Sequence, residues 1–420
     1  MAASLSRADL GVLRGLACEV ADIAALPAQT DATARWKALN GLAPVRPLVL
    51  IDEIPWHEMD VDGELALRTE DETARVFERA LRETLYRWRH LPVDMVVEAA
   101  IDVPKVIRSS GFGIERDEST LALDQHSEIV SHEYHDQLAD EEAVDRIRAP
   151  EVELDVEATA AIETVAHQAF DGILEVRMQG WSPSFELWDD IVYWRGAEMV
   201  LFDLAARPEH MHAIASRYTD ARLAMLDQLE AKGLLGREQQ LVHCTGAWTD
   251  ELPAPGYDVE RPRAIDSWTY GMAQILLSAS PAMLEEFEIP YASRWYERFG
   301  LAYYGCCEPL HDRIHLVRRL PNVRKISMSP WADVEVGALA IGRNYVFSWK
   351  PNPNVFAVDG WDPDAIERQI GHVVAVCAEV GCPLEITMKD ISTVRHRPQR
   401  LWEWADIAMR SVQRERFGGR

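Results

Sequence analysis

From about residue 170 the chain alternates short β-rich runs with stretches long enough to be helices, and this constrains the fold more than any other feature. The runs are ILEVRMQGW (173–181), MVLFDL (199–204), QLVHCTG (240–246), QILLSAS (274–280), LAYYGCCE (301–308), VRKISMSP (323–330), NYVFSWKPNP (344–353) and PLEITMKD (383–390). Amphipathic segments such as PEHMHAIASRYTDARLAMLDQLEAKG and DPDAIERQIGHVVAVCAEVG lie between them. Strands separated by helix-length connections pair in parallel. About eight such units predict a closed (β/α)8 TIM barrel rather than an open sheet.

With 420 residues, the chain has room for a barrel of roughly 250 residues and a sizeable extension. Residues 1–165 are expected to form a mainly helical N-terminal extension that covers the barrel, and residues 166–420 the barrel itself. Helical spacing is clear in 1–45 and in DETARVFERALRETLYRWRH (71–90), whereas 114–160 is acidic and reads as a surface excursion. No apolar run reaches the roughly 20 residues that span a bilayer. The start, MAASLSRADLGVLRGLACEV, carries charges where a secretory signal would be apolar. Six scattered cysteines do not form a secreted disulfide framework, so a cytoplasmic location is expected. A formal net charge of −26 disfavours nucleic acid and anionic membrane as partners.

Most of the runs begin apolar and end in a reactive residue: Arg177, His243, Cys306, Ser329, Lys350, Lys389. In a parallel barrel those ends share one face, where loops build the active site. The richest is GCCEPLH (305–311). Cys306 and Cys307, with Glu308 and His243 behind them, have the soft and borderline donors of a zinc site. The competing reading is a buried thiol acting as a small hydrophobe. A Cys306–Cys307 disulfide is disfavoured, because neighbouring Cα atoms are about 3.8 Å apart, short of the usual bridge span of about 4.4–6.8 Å. Neighbours on a strand point to opposite faces, so both sulfurs reach one pocket only if the strand ends there. Lys350 and Lys389 follow apolar runs directly and suit substrate binding or acid–base work, with Asp390 as counter-ion and Asn352 beside the first lysine. Arg177, Trp331 and Trp349 are further candidates for substrate contact, since indoles and carboxylates at a mouth suit a methylated ammonium group. GFGIER (111–116) lacks the third glycine of a dinucleotide loop. SHEYHD (131–136) has its histidines three apart rather than the four of a zinc-protease helix, and DQHSEI (124–129) lacks the glycine of a corrinoid-binding loop.

IDEIPWHEM, SPAMLEEFEIPY, YGCCEPL, KISMSPWADV and SWKPNP together resemble the uroporphyrinogen decarboxylase-like superfamily. They are most similar to its corrinoid-related methyltransferase branch, often labelled trimethylamine corrinoid proteins. The resemblance runs from about residue 45 to about 410. It implies a (β/α)8 barrel and a choice between cofactor-free decarboxylation and zinc-dependent methyl transfer to or from a corrinoid on another protein. Thiol-methylating members hold zinc with a His-x-Cys pair and a later cysteine. Here GCCE stands at the first position, and Lys389–Asp390 occupies the later one. A variant site would draw on Cys306, Cys307, Glu308 or His243. Any corrinoid would arrive on a partner protein, and a homodimer is expected by the same resemblance.

The leading expectation is a methyltransferase taking its methyl group from a small amine or ether, with Cys306, Cys307 and His243 as metal ligands. Glu308, Lys350, Lys389 and Asp390 would serve catalysis, and Arg177, Trp331, Trp349 and Asn352 would hold substrate. The alternatives are a metal-free lyase or decarboxylase acting on a small carboxylated substrate through the two lysines, and a non-catalytic barrel that binds a ligand.

Overall fold

The computed structural model describes residues 5–121 and 131–414; the DQHSEI segment (124–129) lies outside the described residues. Its main sheet is parallel and six-stranded. In chain order we label β1 (Leu48–Ile51), β2 (Ala100–Pro104), β3 (Glu175–Gln179), β4 (Trp268–Gly271), β5 (Leu301–Tyr304), β6 (Val323–Met328), β7 (Val346–Trp349) and β8 (Leu384–Met388). The sheet runs β1-β8-β7-β6-β5-β4, so the first strand in the chain lies beside the last. Leu48 pairs with Glu385 and Ile51 with Met388. β2 and β3 form a second parallel pair. Isolated parallel bridges join Trp181 to Leu235 and Phe185 to Gly271, at the start of the segments leading from β3 towards β4.

All four residues of β1, β5 and β7, and all five of β8, are buried. Such burial is the mark of strands covered on both faces, and it is why these runs read as continuously apolar. The longer helices are α1 (Arg7–Ala24), α2 (Pro27–Asn40), α3 (Glu72–His90), α4 (Val156–Phe170), α5 (Pro208–Ala231), α6 (Pro363–Val380) and α7 (Gln399–Arg414). α6 shows why these boundaries fall where they do. Asp362 accepts from the Ala365 N–H at its start, and Gly381 closes it at φ 68°, a left-handed conformation that costs glycine little. No helix among the described residues is long and apolar enough to cross a membrane.

Several sequence expectations shift. MVLFDL is helical, within Ala197–Ala206, because its apolar residues continue a helical face rather than alternate. QILLSAS is mostly a 3-10 turn at Gln274–Ser278, and the strand before it is β4. QLVHCTG folds as a two-residue antiparallel ladder, Leu241–Val242 against Thr245–Gly246, with His243 and Cys244 at its tip. β1 and β2 both come from residues 1–165, so that segment supplies strands to the parallel sheets as well as helices. The acidic stretch contributes an exposed antiparallel pair, Glu118–Leu121 with Ser131–Tyr134, so SHEYHD begins in a strand and not in a helix.

Candidate active site

Parallel pairing brings the C-terminal ends of the strands to one edge, and each end there delivers a polar residue. After β1 the chain reaches Glu53, after β5 Cys306, Cys307 and Glu308, after β7 Lys350, and after β8 Lys389 and Asp390. The His243–Cys244 tip completes the group. β5 stops at Tyr304, and Gly305 turns the backbone at φ 94°, a conformation that L side chains rarely adopt. The strand's alternation therefore ends before the cysteines, and both sulfurs reach the same side, 3.5 Å apart.

Lys389 is the hub. Its Nζ lies 3.2 Å from Cys306 Sγ, 3.4 Å from Asp390 Oδ2 and 3.6 Å from Glu53 Oε2. Asp390 N–H donates to Glu53 Oε2 at 2.9 Å, and Cys244 Sγ donates to Glu53 Oε1 at 3.3 Å. Cys307 Sγ also lies 3.6 Å from Asp390 Oδ2. Four of these residues have positive φ without being glycine: Glu53 (48°), His243 (41°), Cys244 (64°) and Asp390 (55°). Each such conformation stores strain, and strain of this kind gathers at functional sites.

The charges follow from the contacts. Donation from the Cys307 thiol pulls the Cys306 pKa well below the usual thiol range, with His243 and Lys389 acting in the same direction. Cys307 moves the opposite way, because it keeps the proton it donates and is itself partly buried. The pair thus holds one proton, on Cys307. Burial works against charge on Lys389, yet the Cys306 and Cys244 sulfurs, Asp390 and Glu53 outweigh it and raise its pKa. Glu53 is raised by burial and by its contact with Asp390, whereas Asp390, despite burial, is lowered by Glu53 and Lys389. The site therefore presents a thiol shifted towards thiolate, an ammonium, and two carboxyls whose pKa values are pushed apart, Glu53 upward and Asp390 downward.

Glu308 is fully engaged by the backbone around Cys306. It accepts from the Cys306 N–H at 2.6 Å and the Ala273 N–H at 3.1 Å, so it fixes the turn that aims the sulfur. Ser327 Oγ donates to the Cys306 carbonyl at 2.7 Å. Lys350, also buried, donates to Ser348 Oγ at 2.7 Å and stands 5.1 Å from the Tyr303 ring centre. His243 stacks on Tyr270 with ring centres 4.6 Å apart. Its Nε2 and the Ser329 hydroxyl are buried without a hydrogen-bond partner among the described residues.

The four residues anticipated as substrate contacts are all placed differently from that expectation. Arg177 lies inside β3, where it bonds Glu98, Glu175 and Glu238 beside a separate cavity of about 310 Å³. Trp331 is 67 % exposed, because the chain after β6 turns out to solvent, whereas Trp349 is buried in β7. Asn352 turns back to accept from the Asn354 N–H. Glu53 was missed as a site residue, although IDEIPW offered the signal, an apolar run ending in acids before a proline.

The donor set does not fit the zinc that the spacing suggested. Among the described residues no three histidine, cysteine, aspartate or glutamate side chains are arranged to hold a metal ion. The position against Cys306 that a dication would take is held by the Lys389 ammonium, which would repel it.

No family model matches the sequence, and no curated protein matches it. Among solved structures the chain is similar to a methyltransferase from Methanosarcina mazei, at 11 % identity and a TM-score of 0.48, over 91 % of this chain and 98 % of that one.

Proposed function

We propose that the chain is a methyltransferase of the uroporphyrinogen decarboxylase-like superfamily, working at the mouth of a (β/α)8 barrel. It would move a methyl group between a small methylated amine or ether and a corrinoid on a partner protein. The observation that carries this reading is the Cys306 sulfur, its pKa lowered and its Sγ 3.2 Å from Lys389 Nζ, with the Glu53 carboxyl, its pKa raised, on the same ammonium at 3.6 Å. A soft nucleophile next to a proton donor is what methyl exchange at a heteroatom needs. Three of the segments that carry the resemblance, IDEIPWHEM, YGCCEPL and SWKPNP, end at this edge. Closure of the barrel is supported by the Asp94 N–H donating to the Val49 carbonyl, which ties the chain before β2 to β1.

In this reading the Cys306 sulfur attacks the methyl carbon. The C–N or C–O bond would break with its electron pair going to the heteroatom, and Glu53, the carboxyl whose pKa burial raises, would be the group to give that atom a proton. Lys389 keeps the sulfur ionised before attack and holds Asp390 and Glu53 in place. A corrinoid on the partner would supply a cobalt centre able to exchange methyl groups at the same mouth. The lyase alternative fits less well, because both lysines are held as ammonium ions with their partners already assigned.

The test incubates the purified chain with a panel of methylated amines and methyl ethers and with free cob(I)alamin as the corrinoid probe. Methylcobalamin formation, read by absorbance, is expected with the wild type and lost in Cys306→Ser. Equal rates in the two proteins would overturn the assignment.

A further inference from the structure

We propose that Cys306 and Cys307 form a two-sulfur binding site for monosubstituted trivalent arsenicals, R–As(OH)2. The site needs no activity of the chain and does not rest on the methyl-transfer reading. Three observations support it.

The first is geometry. The two sulfurs are 3.5 Å apart on the same side of the chain, because Gly305 ends the strand's alternation. A single atom can bond both after small side-chain rotations, with no backbone movement. A disulfide demands more, since it would draw the sulfurs to about 2.05 Å across neighbouring residues.

The second is access. Cys307 is partly exposed, whereas Cys306 is 5 % exposed directly behind it. A reagent can therefore meet Cys307 first and then close onto Cys306. The other cysteines offer less. Cys377 and Cys382 are both buried, Cys18 is exposed but on the distant helix α1, and Cys244 is buried against Glu53.

The third is charge. Lys389 stands 3.2 Å from Cys306 Sγ and opposes a dication there. A dithiolate of R–As carries no net charge, so the same lysine sets no electrostatic barrier to it. Soft, polarisable sulfur is also the donor that soft centres select.

The exchange balances without an oxidant or reductant. Two As–S bonds form and two As–O bonds break, and arsenic stays trivalent. One hydroxyl leaves as water with the Cys307 proton, and the other leaves as water with a proton from solvent.

Phenylarsine oxide is the probe, and intact-protein mass under native conditions is the readout. The wild type is expected to gain one phenylarsenic unit less two hydrogens. The adduct should survive a monothiol and be stripped by 2,3-dimercaptopropanol. Cys307→Ser, a change at the partly exposed position, should lose the adduct, as should Cys306→Ser, while Cys377→Ser and Cys244→Ser should keep it. An adduct that persists in Cys307→Ser, or that disappears in Cys377→Ser, would overturn the assignment. So would the absence of any adduct on folded wild type. Because mass is read without turnover, a chain inactive in methyl transfer can still show the adduct.

Discussion

Two lysine–anion pairs lie on the same sheet, and they have opposite characters. Lys325 on β6 and Glu385 on β8 meet at 2.7 Å with both side chains fully buried. Lys325 also donates to Thr245 Oγ1 at 3.1 Å and the Gly246 carbonyl at 2.8 Å, and it faces the Trp36 and Trp268 rings. Lys389 instead meets a thiolate, with Glu53 and Asp390 about half exposed around it and positive φ at both. In the first pair every proton of the ammonium has a partner and both side chains are fully buried. In the second the anions are mobile in charge, the backbone is strained, and one side is open. A sealed pair holds strands in register; an open pair on strained backbone is equipped to exchange protons and meet a ligand.

Lys325→Met should show the largest effect. It leaves Glu385 buried without its counter-ion, which costs about 3–5 kcal/mol. A drop of that size should be read by chemical denaturation, and the double change Lys325→Met/Glu385→Leu should recover most of it. Lys389→Met should do the reverse. Its stability should change little, while methyl transfer falls by about 10²–10³-fold, the usual loss when a group stabilising charge at a reacting centre is removed. If Lys389→Met unfolds the chain, or Lys325→Met leaves stability intact, the contrast between the two pairs fails.

The sequence made the parallel strands legible wherever burial on both faces left a continuous apolar run, as in LAYY, VFSW and LEITM. It misled where a short run fits two periods. MVLFDL contains too few residues for alternation and helical spacing to differ clearly, and only its neighbours decide. Strand-end position pointed to Cys306, Cys307, Lys389 and Asp390, which the fold brings into contact with one another. It failed for Arg177, which sits two residues short of its strand's end and is occupied by three carboxylates. Glu53 was hidden for a topological reason. Nothing local in IDEIPW says that β1 will lie against β8, more than 330 residues later, and only that pairing puts Glu53 beside Lys389. The common side of the two sulfurs was equally hidden, because it depends on the φ of Gly305.

Cys307→Ser should have a smaller effect than loss of Lys389, and it bears on which group ionises the thiol. Donation from Cys307 is the leading cause of the low Cys306 pKa. A serine hydroxyl is shorter and cannot reach as well, so the Cys306 pKa should rise towards the ordinary thiol range of about 8.5. Alkylation of Cys306 by iodoacetamide, followed by peptide mass analysis, should be nearly flat from pH 6 to 8 in the wild type. In the variant it should climb with pH and be about tenfold slower at pH 6. A flat profile in both would assign the thiolate to Lys389 and His243 alone.

The smallest expected effect concerns two carboxyls that divide along the same line. Asp189 lies near Glu308 and the thiolate; burial first, and then the charges of Glu308, Glu186 and Asp190, push its pKa up to about 8. The folded chain then keeps a proton that the unfolded chain has released above about pH 4. Its contribution to stability therefore falls as pH rises from about 4 to about 8. Glu385 goes the other way. Lys325 outweighs its burial and lowers its pKa, so its contribution is present above the ordinary glutamate range and is lost as pH falls through the folded value. Asp189→Asn should thus melt at a higher temperature than wild type at pH 8 by a few degrees and match it near pH 4.5. Glu385→Gln should be the less stable protein at pH 8, with the gap narrowing in acid. Thermal melts of the three proteins at both pH values read the two slopes directly. Equal shifts at both pH values for Asp189→Asn would mean that this carboxyl is already ionised in the folded chain, and the negative charge facing Cys306 would then be larger than the contacts indicate.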